Sequence, residues 1–450
     1  MQEEKVDVLI IGAGPAGIVC ANTAKKYYPD KKIFVMKNVK KGVIPCGIPY
    51  MFKSLKNPED NELKLDPLEK QGIQIIVDEA VNLDRKKKCV ETAKGKVIFY
   101  EKLVLAVGSL PIIPPIKGIE KDGIYPIYKD LDYLKTLVER VKKSKNILII
   151  GGGFIGVEFA DEISKLEDKN VYLVEKLPSL LANSFDPEFS SHVEKKLKEK
   201  NVKILTNTTV EEFLGEKEVE KVRLSNGDLL SVDSVILGVG ASPNTKLAIL
   251  AGLDAGKGIW VDEYMRTVDR DIFAVGDCAG KRDFYTRRDV PVLLASIATA
   301  EARIAGANLY KLKVVRENKG TIAIYSTYID GLVLGSAGLT ETTAEREGFE
   351  IVTGVAEGVD KHPKTLPSAS YIKVKLVFSK QSGIILGGQV LGGFSCGELI
   401  NLIGVAIQKR MSATELETLQ MATHPYLTSA PTMYPVVRAA QDAIAKYKFE

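Results

Sequence analysis

The chain has 450 residues, enough for two or three domains, and its 45% hydrophobic and 27% charged content is ordinary for a globular protein. The 62 basic and 58 acidic residues leave a net charge of +4, which is too small to favour a nucleic-acid partner. Apolar runs are shorter than a membrane span, and the five scattered cysteines lack the spacing of a disulfide framework or a zinc site. We therefore expect a cytoplasmic protein with no signal peptide, metal, membrane or nucleic-acid partner.

The first predicted element is a strand over residues 6–11, VDVLII, followed at once by the turn GAGPAG and a helix. The glycines have the spacing G-x-G-x-x-G, which lets backbone approach a pyrophosphate while the helix N-terminus favours the anion. The turn therefore predicts a dinucleotide site, whose candidate residues are Gly12, Gly14, Pro15, Ala16 and Gly17.

The next notable segment is GVIPCGIPYMF, residues 42–52, which contains a lone cysteine, Cys46. A CxxC pair is absent from the sequence, and the position five residues after Cys46 is Met51. The sequence therefore excludes an internal redox disulfide at this segment.

A second strand, turn and helix begins at residues 146–150, NILII, with the turn GGGFIG. Such units carry an acidic residue about 20 positions beyond the turn, where it binds a ribose hydroxyl. The second unit has Glu175 there, whereas the first has Met36. The ribose carboxylate is thus predicted in the second unit and missing from the first. The candidate residues of the second unit are Gly151, Gly153, Phe154, Ile155, Gly156, Glu158 and Glu175.

Two such units in one chain resemble the two-dinucleotide flavoprotein disulfide reductases, which hold FAD in the first fold and NAD(P)H in the second. The resemblance extends to glycine turns at Gly108 and Gly240, and to the late motif DIFAVGDCAG with Gly276 and Asp277. It implies that Asp277 binds the ribityl chain of FAD.

The resemblance also implies an α/β fold with two Rossmann-like domains and an α+β C-terminal domain that forms homodimers. A helix opening at Leu294 and Ala295 is expected to aim its N-terminus at the flavin ring and to stabilise the reduced, anionic form. The expected division is an FAD domain from 1–120 and 248–320, an NAD(H) domain from 121–247, and a dimerisation domain from 321–450.

Residues of the second unit receive further roles from the resemblance. Phe154 is expected to stack over the flavin until NADH displaces it, and Glu158 to contact the nicotinamide end. Because a carboxylate repels a 2′-phosphate, Glu175 predicts NADH as the preferred cofactor over NADPH.

The lone cysteine is similar to that of the single-cysteine branch, which comprises NADH oxidase, NADH peroxidase, coenzyme A-disulfide reductase and the persulfide or polysulfide reductases. CGIPY resembles the form typical of the coenzyme A-disulfide and polysulfide members. A position near a helix N-terminus predicts a lowered pKa for the Cys46 thiol, whose thiolate can attack a disulfide sulfur. Pro15 stands where NADH peroxidase has a histidine, which argues against a dedicated peroxidase.

The C-terminal stretch THPYLTSAPTMYP supplies the remaining candidates. In the family this region of one subunit completes the flavin site of the other, so His424 is expected to reach Cys46 of the partner subunit. Tyr426 and Tyr434 are alternative proton donors, and Ser429 replaces the glutamate that orients the histidine elsewhere in the family.

The resulting interpretation is an FAD-dependent NAD(P)H oxidoreductase that uses Cys46 to reduce coenzyme A disulfide, a persulfide or a polysulfide. Three alternatives remain open at this point. They are an NADH oxidase that reduces dioxygen, a reductase that passes electrons to a carrier protein, and a non-catalytic NADH sensor.

Overall fold

The computed structural model describes residues 2–447, and the outermost ends of the predicted first and last domains, residue 1 and residues 448–450, lie outside them. The N-terminal part forms a sheet of strand order β3-β2-β1-β6-β5-β4, in which β1 pairs in parallel with β2 and β6. Residues 8–10 of β1 are fully buried, as expected for a parallel strand covered on both faces. Its elements are β1 (Gln2–Ile11), α1 (Pro15–Tyr27), β2 (Ile33–Lys37), α2 (Asp66–Glu69), β3 (Gln74–Val77), β4 (Ala80–Asp84), β5 (Cys89–Thr92), β6 (Lys96–Leu105) and β7 (Ser109–Pro111).

The middle of the chain repeats this architecture. A parallel sheet has the order β11-β10-β9-β15-β8, and an antiparallel sheet β12-β13-β14 lies beside it. Strand β16 pairs with β7 and so ties this part to the N-terminal one. The elements are β8 (Ile124–Pro126), α3 (Leu131–Lys143), β9 (Asn146–Ile150), α4 (Phe154–Ser164), β10 (Asn170–Val174), α5 (Pro187–Glu199), β11 (Lys203–Leu205), β12 (Val210–Leu214), β13 (Lys221–Leu224), β14 (Leu229–Ser231), β15 (Ser234–Leu237), β16 (Ala241–Pro243) and α6 (Lys246–Leu250).

The chain then returns to the first sheet. Strand β17 (Ile272–Ala274) pairs in parallel with β6, and helix α7 (Ala295–Asn308) packs against α1. The two helices approach closely at Gly306, where an added Cβ would lie 2.8 Å from the carbonyl oxygen of Cys20. The first dinucleotide fold is thus built from two separate stretches of sequence.

The C-terminal part is an antiparallel sheet of order β18-β19-β22-β21-β20, covered by helices α9 and α11. Strand β22 is buried along its whole length, because it lies between β19 and β21 and is covered by helix α9. The elements are β18 (Ile324–Ile329), β19 (Leu332–Gly338), α8 (Glu341–Arg346), β20 (Ile351–Val359), β21 (Tyr371–Ser379), β22 (Ile385–Gly392), α9 (Cys396–Gln408), α10 (Ala413–Glu417) and α11 (Pro435–Lys446).

A buried ionic group, the Lys375 cluster, joins the C-terminal sheet to helix α5 of the middle part. Lys375 pairs with Asp186 at 3.1 Å and with Glu188 at 2.5 Å, and it also pairs with Glu341. Gln389 adds a hydrogen bond to Asp186 at 2.5 Å. The cluster fixes the position of the middle part relative to the C-terminal sheet.

Candidate active site

The first glycine turn is shaped by close backbone contacts. Gly12 has φ +114°, and an added Cβ there would lie 2.0 Å from the carbonyl oxygen of Ala106. An added Cβ on Gly17 would lie 1.8 Å from the carbonyl oxygen of Gly12, so any side chain at either position would break the turn. Gly14 caps helix α1 without a side-chain hydrogen bond and faces open space. A helix N-terminus that is left open in this way fits a pyrophosphate.

The second turn has the same geometry. Gly151 has φ +104°, and an added Cβ would lie 2.5 Å from the carbonyl oxygen of Gly238. An added Cβ on Gly156 would lie 1.8 Å from the carbonyl oxygen of Gly151. Gly153 caps helix α4 and faces open space. The residues of this turn therefore also fit a dinucleotide.

The two units differ at the ribose position. Glu175 follows β10, and its carboxylate accepts hydrogen bonds from the backbone amides of Gly152 at 2.6 Å and Leu177 at 2.7 Å. These bonds hold the carboxylate in place beside the turn. Met36 is 1% exposed and offers only its carbonyl oxygen, which accepts from the amide of Gly12 at 2.7 Å. The Gly151 amide donates to Val174 in the same way, so Met36 matches Val174 in register and Lys37, not Met36, stands at the position of Glu175. The first unit therefore has a lysine and no carboxylate at this position.

One continuous cavity of roughly 2330 Å³ connects the two turns and the lone cysteine. Gly17 and Gly156 are packed inside their turns, as described above. The other predicted residues from the cofactor-binding folds line the cavity, namely Gly12, Gly14, Pro15, Ala16, Cys46, Gly108, Gly151, Gly153, Phe154, Ile155, Glu158, Glu175, Gly240, Gly276, Asp277, Leu294 and Ala295. The fold thus brings residues separated by nearly 300 positions to one chamber.

The segment that carries Cys46 forms two short 3₁₀ turns, Pro45–Gly47 and Pro49–Phe52. Buried Asn61 holds it by accepting the amide of Ile44 on its backbone oxygen at 3.0 Å and donating its side-chain amide to the Ile44 oxygen at 3.1 Å. Phe52 packs edge-to-face on Phe159 of helix α4, with ring centroids 5.3 Å apart. Cys46 is therefore held against the helix that begins at the second glycine turn.

Cys46 is exposed to the cavity, whereas Cys20, Cys89, Cys278 and Cys396 are buried. The expected lowering of its pKa is wrong for this chain. Burial among the neighbouring atoms raises the pKa of the Cys46 thiol, and the charge of Glu158 raises it further. The physical reason is that the helix-terminus rule takes no account of burial or of Glu158, and both effects depend on which residues pack around the thiol.

Glu158 lies on helix α4 and accepts a hydrogen bond from the hydroxyl of Thr327 on β18 at 2.8 Å. Burial raises the pKa of Glu158 to about 7, although the Thr327 hydrogen bond opposes the rise. Phe154, one turn earlier, stacks on Tyr325 of the same strand, with centroids 4.8 Å apart and planes at 21°. Strand β18 thus supplies two residues to this side of the cavity that no sequence motif indicated.

Asp277 belongs to the turn Gly276–Cys278, where Gly276 has φ +75°. Its carboxylate accepts from Ser109 at 2.7 Å and pairs with Lys129 at 3.2 Å. Beneath the turn, Lys281 and Glu301 form a buried ion pair at 3.0 Å, and Glu301 also accepts the Gly276 amide at 2.9 Å. Ser109, Lys129 and Glu301 carry no local sequence signal, since each is distant in sequence from the turn, whereas Lys281 lies just beyond it and donates to Gly276 at 2.7 Å.

Helix α7 begins at Ala295, with Leu294 as its N-cap residue and no side-chain cap, and both residues line the cavity. The start of this helix agrees with the expected one. Its first-turn amides are available to a group in the cavity.

The three candidates from the C-terminal stretch lie away from this cavity within one chain. His424 and Tyr426 are exposed, and the Tyr426 amide donates to Nδ1 of His424 at 3.2 Å. Tyr434 packs partly buried against the core of the C-terminal sheet. Within the described residues, none of these three lines the cavity that contains Cys46.

Comparison with known proteins identifies the family. Residues 6–302 match the family described as pyridine nucleotide-disulphide oxidoreductase, and residues 324–434 match its dimerisation domain. The chain belongs to this family. The predicted fold, the oxidoreductase class and the use of FAD with NAD(H) are thereby confirmed.

Its relatives include a "NADH oxidase" of Methanocaldococcus jannaschii, 30% identical over 97% of this chain and 98% of that protein. A "NAD(P)H coenzyme A polysulfide/persulfide reductase" of Pyrococcus horikoshii is 31% identical over 86% of this chain and 88% of its own length. The structure of a NAD-dependent persulfide reductase from A. fulgidus matches with a TM-score of 0.91 and 28% identity, covering 98% of this chain and 83% of that one. Among residues 2–447, no helix is both long and apolar enough to cross a membrane.

Proposed function

We propose that this flavoprotein uses Cys46 to reduce a sulfur substrate with electrons from NADH. Coenzyme A disulfide, a persulfide or a polysulfide would supply the sulfur. The supporting observation is that the accessible cysteine of this chain opens into the same cavity as both glycine turns. The names of the P. horikoshii and A. fulgidus proteins give the same substrate class.

Bound FAD supplies two-electron transfer between a reduced nicotinamide and a sulfur centre. The thiolate of Cys46 attacks one sulfur of a disulfide, forming a mixed disulfide and releasing the first thiolate. His424 of the partner subunit donates the proton that this leaving group needs, with Tyr426 or Tyr434 as alternative donors. Two electrons from NADH then break the mixed disulfide and restore Cys46. In total, NADH, one proton and one disulfide give NAD⁺ and two thiols.

The same proposal assigns the cofactor contacts. The first glycine turn and Asp277 hold FAD, and the second turn with Glu175 holds NADH. Glu175 favours NADH over NADPH, because its carboxylate is held beside the turn where a 2′-phosphate would lie.

The test is NADH consumption by the wild type and Cys46→Ser, in argon, with coenzyme A disulfide or polysulfide. We expect the serine variant to retain FAD and to accept electrons from NADH, while turnover with the sulfur substrate collapses. Cys89→Ser, the same substitution at a buried cysteine that does not line the cavity, is the matched control. Sulfur turnover at the wild-type rate in Cys46→Ser contradicts the proposal. It would favour a reductase that passes its electrons to a carrier protein.

A second candidate is an NADH oxidase, since the M. jannaschii relative bears that name along nearly the whole chain. In this case Cys46 would cycle through a sulfenic acid while dioxygen is reduced. NADH consumption in air that exceeds consumption in argon with any sulfur substrate would establish this alternative.

The contribution of the partner subunit has its own experiment. His424→Ala and Cys46→Ser chains, each nearly inactive, are mixed to form heterodimers. Because one of the two sites is then intact, partial activity should return. Verified heterodimers without activity, or full activity in His424→Ala alone, would remove the histidine from the mechanism.

A further inference from the structure

The electrostatic surroundings of Cys46 conflict with its proposed task. A nucleophilic cysteine needs to be a thiolate. Two carboxylates act on it, Glu158 from helix α4 and Asp277 from the turn Gly276–Cys278, and Tyr50 lies on the neighbouring 3₁₀ turn. Burial and the negative charge of Glu158 both raise the pKa of the thiol. If Cys46 is to act as a nucleophile near neutral pH, a positive group must offset the effect of burial and of the carboxylates on its thiol.

Lys129 supplies positive charge at this place. Its Nζ lies 3.1 Å from the Ser109 hydroxyl and 3.2 Å from the Asp277 carboxylate, and it lines the cavity with Cys46. It opposes the effect of the carboxylates on Cys46. The lysine is 41% exposed, whereas Asp277 is 18% exposed, so the ammonium lies at the solvent side of the pair.

The backbone around Lys129 is anchored to the cysteine segment. Asp130 caps helix α3 by accepting the amide of Tyr133 at 2.9 Å, and it forms a β-bridge with Gly42. The amide of Leu131 donates to the carbonyl oxygen of Lys41 at 3.1 Å. The segment bearing Lys129 therefore runs beside the segment bearing Cys46, and their relative position does not depend on the flexible lysine side chain.

We propose that Lys129 is a positioning residue whose ammonium charge, held in place by Asp277 and Ser109, favours the thiolate of Cys46 over the thiol. This inference rests on the proposed role of Cys46. The competing explanation is that Lys129 only braces Asp277, in which case the charge itself would be dispensable to the thiol.

The experiment measures the rate of Cys46 alkylation by iodoacetamide against pH, on holoenzyme reduced with dithiothreitol and desalted under argon. The other four cysteines are buried, so labelling reports on Cys46, and Cys46→Ser verifies this by remaining unlabelled. Lys129→Gln retains a hydrogen-bond donor toward Asp277 and removes the charge. We expect alkylation at neutral pH to slow by about two- to fivefold, the size expected for one partly solvated charge, and the curve to move to higher pH.

Lys129→Arg should restore the wild-type curve, and Glu158→Gln should move it to lower pH because a negative charge is removed. Lys142→Met, on the exposed face of helix α3, is the matched control and should leave the curve unchanged. Lys129→Met also removes the ammonium charge, and it should slow alkylation in the same direction as Lys129→Gln. The conclusion then rests on two independent variants. Curves for Lys129→Gln and Lys129→Met that superimpose on the wild type, in folded and yellow protein, would overturn the inference.

The assay contains neither NADH nor a sulfur substrate, so its failure leaves the proposed function standing. Conversely, sulfur turnover in Cys46→Ser would refute the proposed function whatever the alkylation curve shows.

Discussion

Replacing Glu158 by glutamine should change how the stability of the protein depends on pH. Burial raises the pKa of Glu158 to about 7 from an ordinary value of 4.5, so the folded protein retains a proton that the unfolded chain has already released. This group therefore stabilises the fold fully below pH 4.5, and the contribution is lost as pH rises through 7. The difference in pKa corresponds to about 3 kcal/mol, because each unit is worth about 1.4 kcal/mol.

Glutamine has nearly the same shape and can still accept the Thr327 hydroxyl, but it does not titrate. The free energy of unfolding is measured by urea titration at pH 5 and pH 8 for both proteins. Between these two values the wild type should lose about 2 to 3 kcal/mol more than Glu158→Gln, since part of the titration lies below pH 5. Groups that do not interact with Glu158 cancel in this difference.

Thr327→Val provides the internal check. The Thr327 hydrogen bond favours the ionised carboxylate, so its removal should raise the pKa of Glu158 further and extend the loss of stability to higher pH. Parallel pH profiles for the wild type and Glu158→Gln would refute the reasoning, because they would mean that Glu158 ionises as easily in the folded protein as in the unfolded chain.

The geometry also predicts the effects of three further substitutions. Lys375→Met should destabilise the protein by about 3 to 5 kcal/mol, seen as a lower Tm, because it leaves the carboxylates of the Lys375 cluster without their cation. The carboxylate oxygens of Asp186, Glu188 and Glu341 lie within 4.8 Å of one another. Added Ca²⁺ should therefore raise the Tm of Lys375→Met more than that of the wild type. Glu175→Ala should narrow the ratio of kcat/KM for NADH to that for NADPH, and an unchanged ratio would exclude Glu175 from selecting the cofactor. Gly17→Ala should be purified with less FAD per chain, as measured by flavin absorbance, because its Cβ would lie 1.8 Å from a backbone oxygen.

Local sequence rules located the two glycine turns correctly because the geometry they encode is local. Gly12 and Gly151 adopt positive φ, and the clashes that exclude side chains come from backbone at the ends of neighbouring parallel strands. Such features follow from strand, turn and helix in immediate succession. The same rules missed the register of the ribose position by one residue, since Met36 lies within β2 and pairs with Ile11 as Val174 pairs with Ile150, which places Lys37 at the position of Glu175.

The surroundings of Cys46 could not be predicted in this way. Lys129, Thr327 and Tyr325 reach the cavity from segments far along the chain, and none belongs to a spacing pattern. The pKa prediction for Cys46 was wrong because it considered only a helix N-terminus and left out burial and the charge of Glu158, which lies on a distant helix. The charge around a thiol depends on which distant residues fold against it, and a single sequence holds no local signal for that.

Helix α4 explains how the two sides of the chamber are held together. Its N-terminus forms the second glycine turn, while farther along Glu162 accepts the amide and hydroxyl of Ser54, at 2.9 and 2.8 Å, just beyond the Cys46 segment. Glu158 and Phe154, on the same helix, contact strand β18 of the C-terminal sheet. One helix thus touches the second glycine turn, the cysteine segment and the sheet of the dimerisation domain. Protein interiors are close-packed, so a shift of this helix at any one of these three contacts would also shift the other two. The second glycine turn and Cys46 are therefore positioned by the same helix.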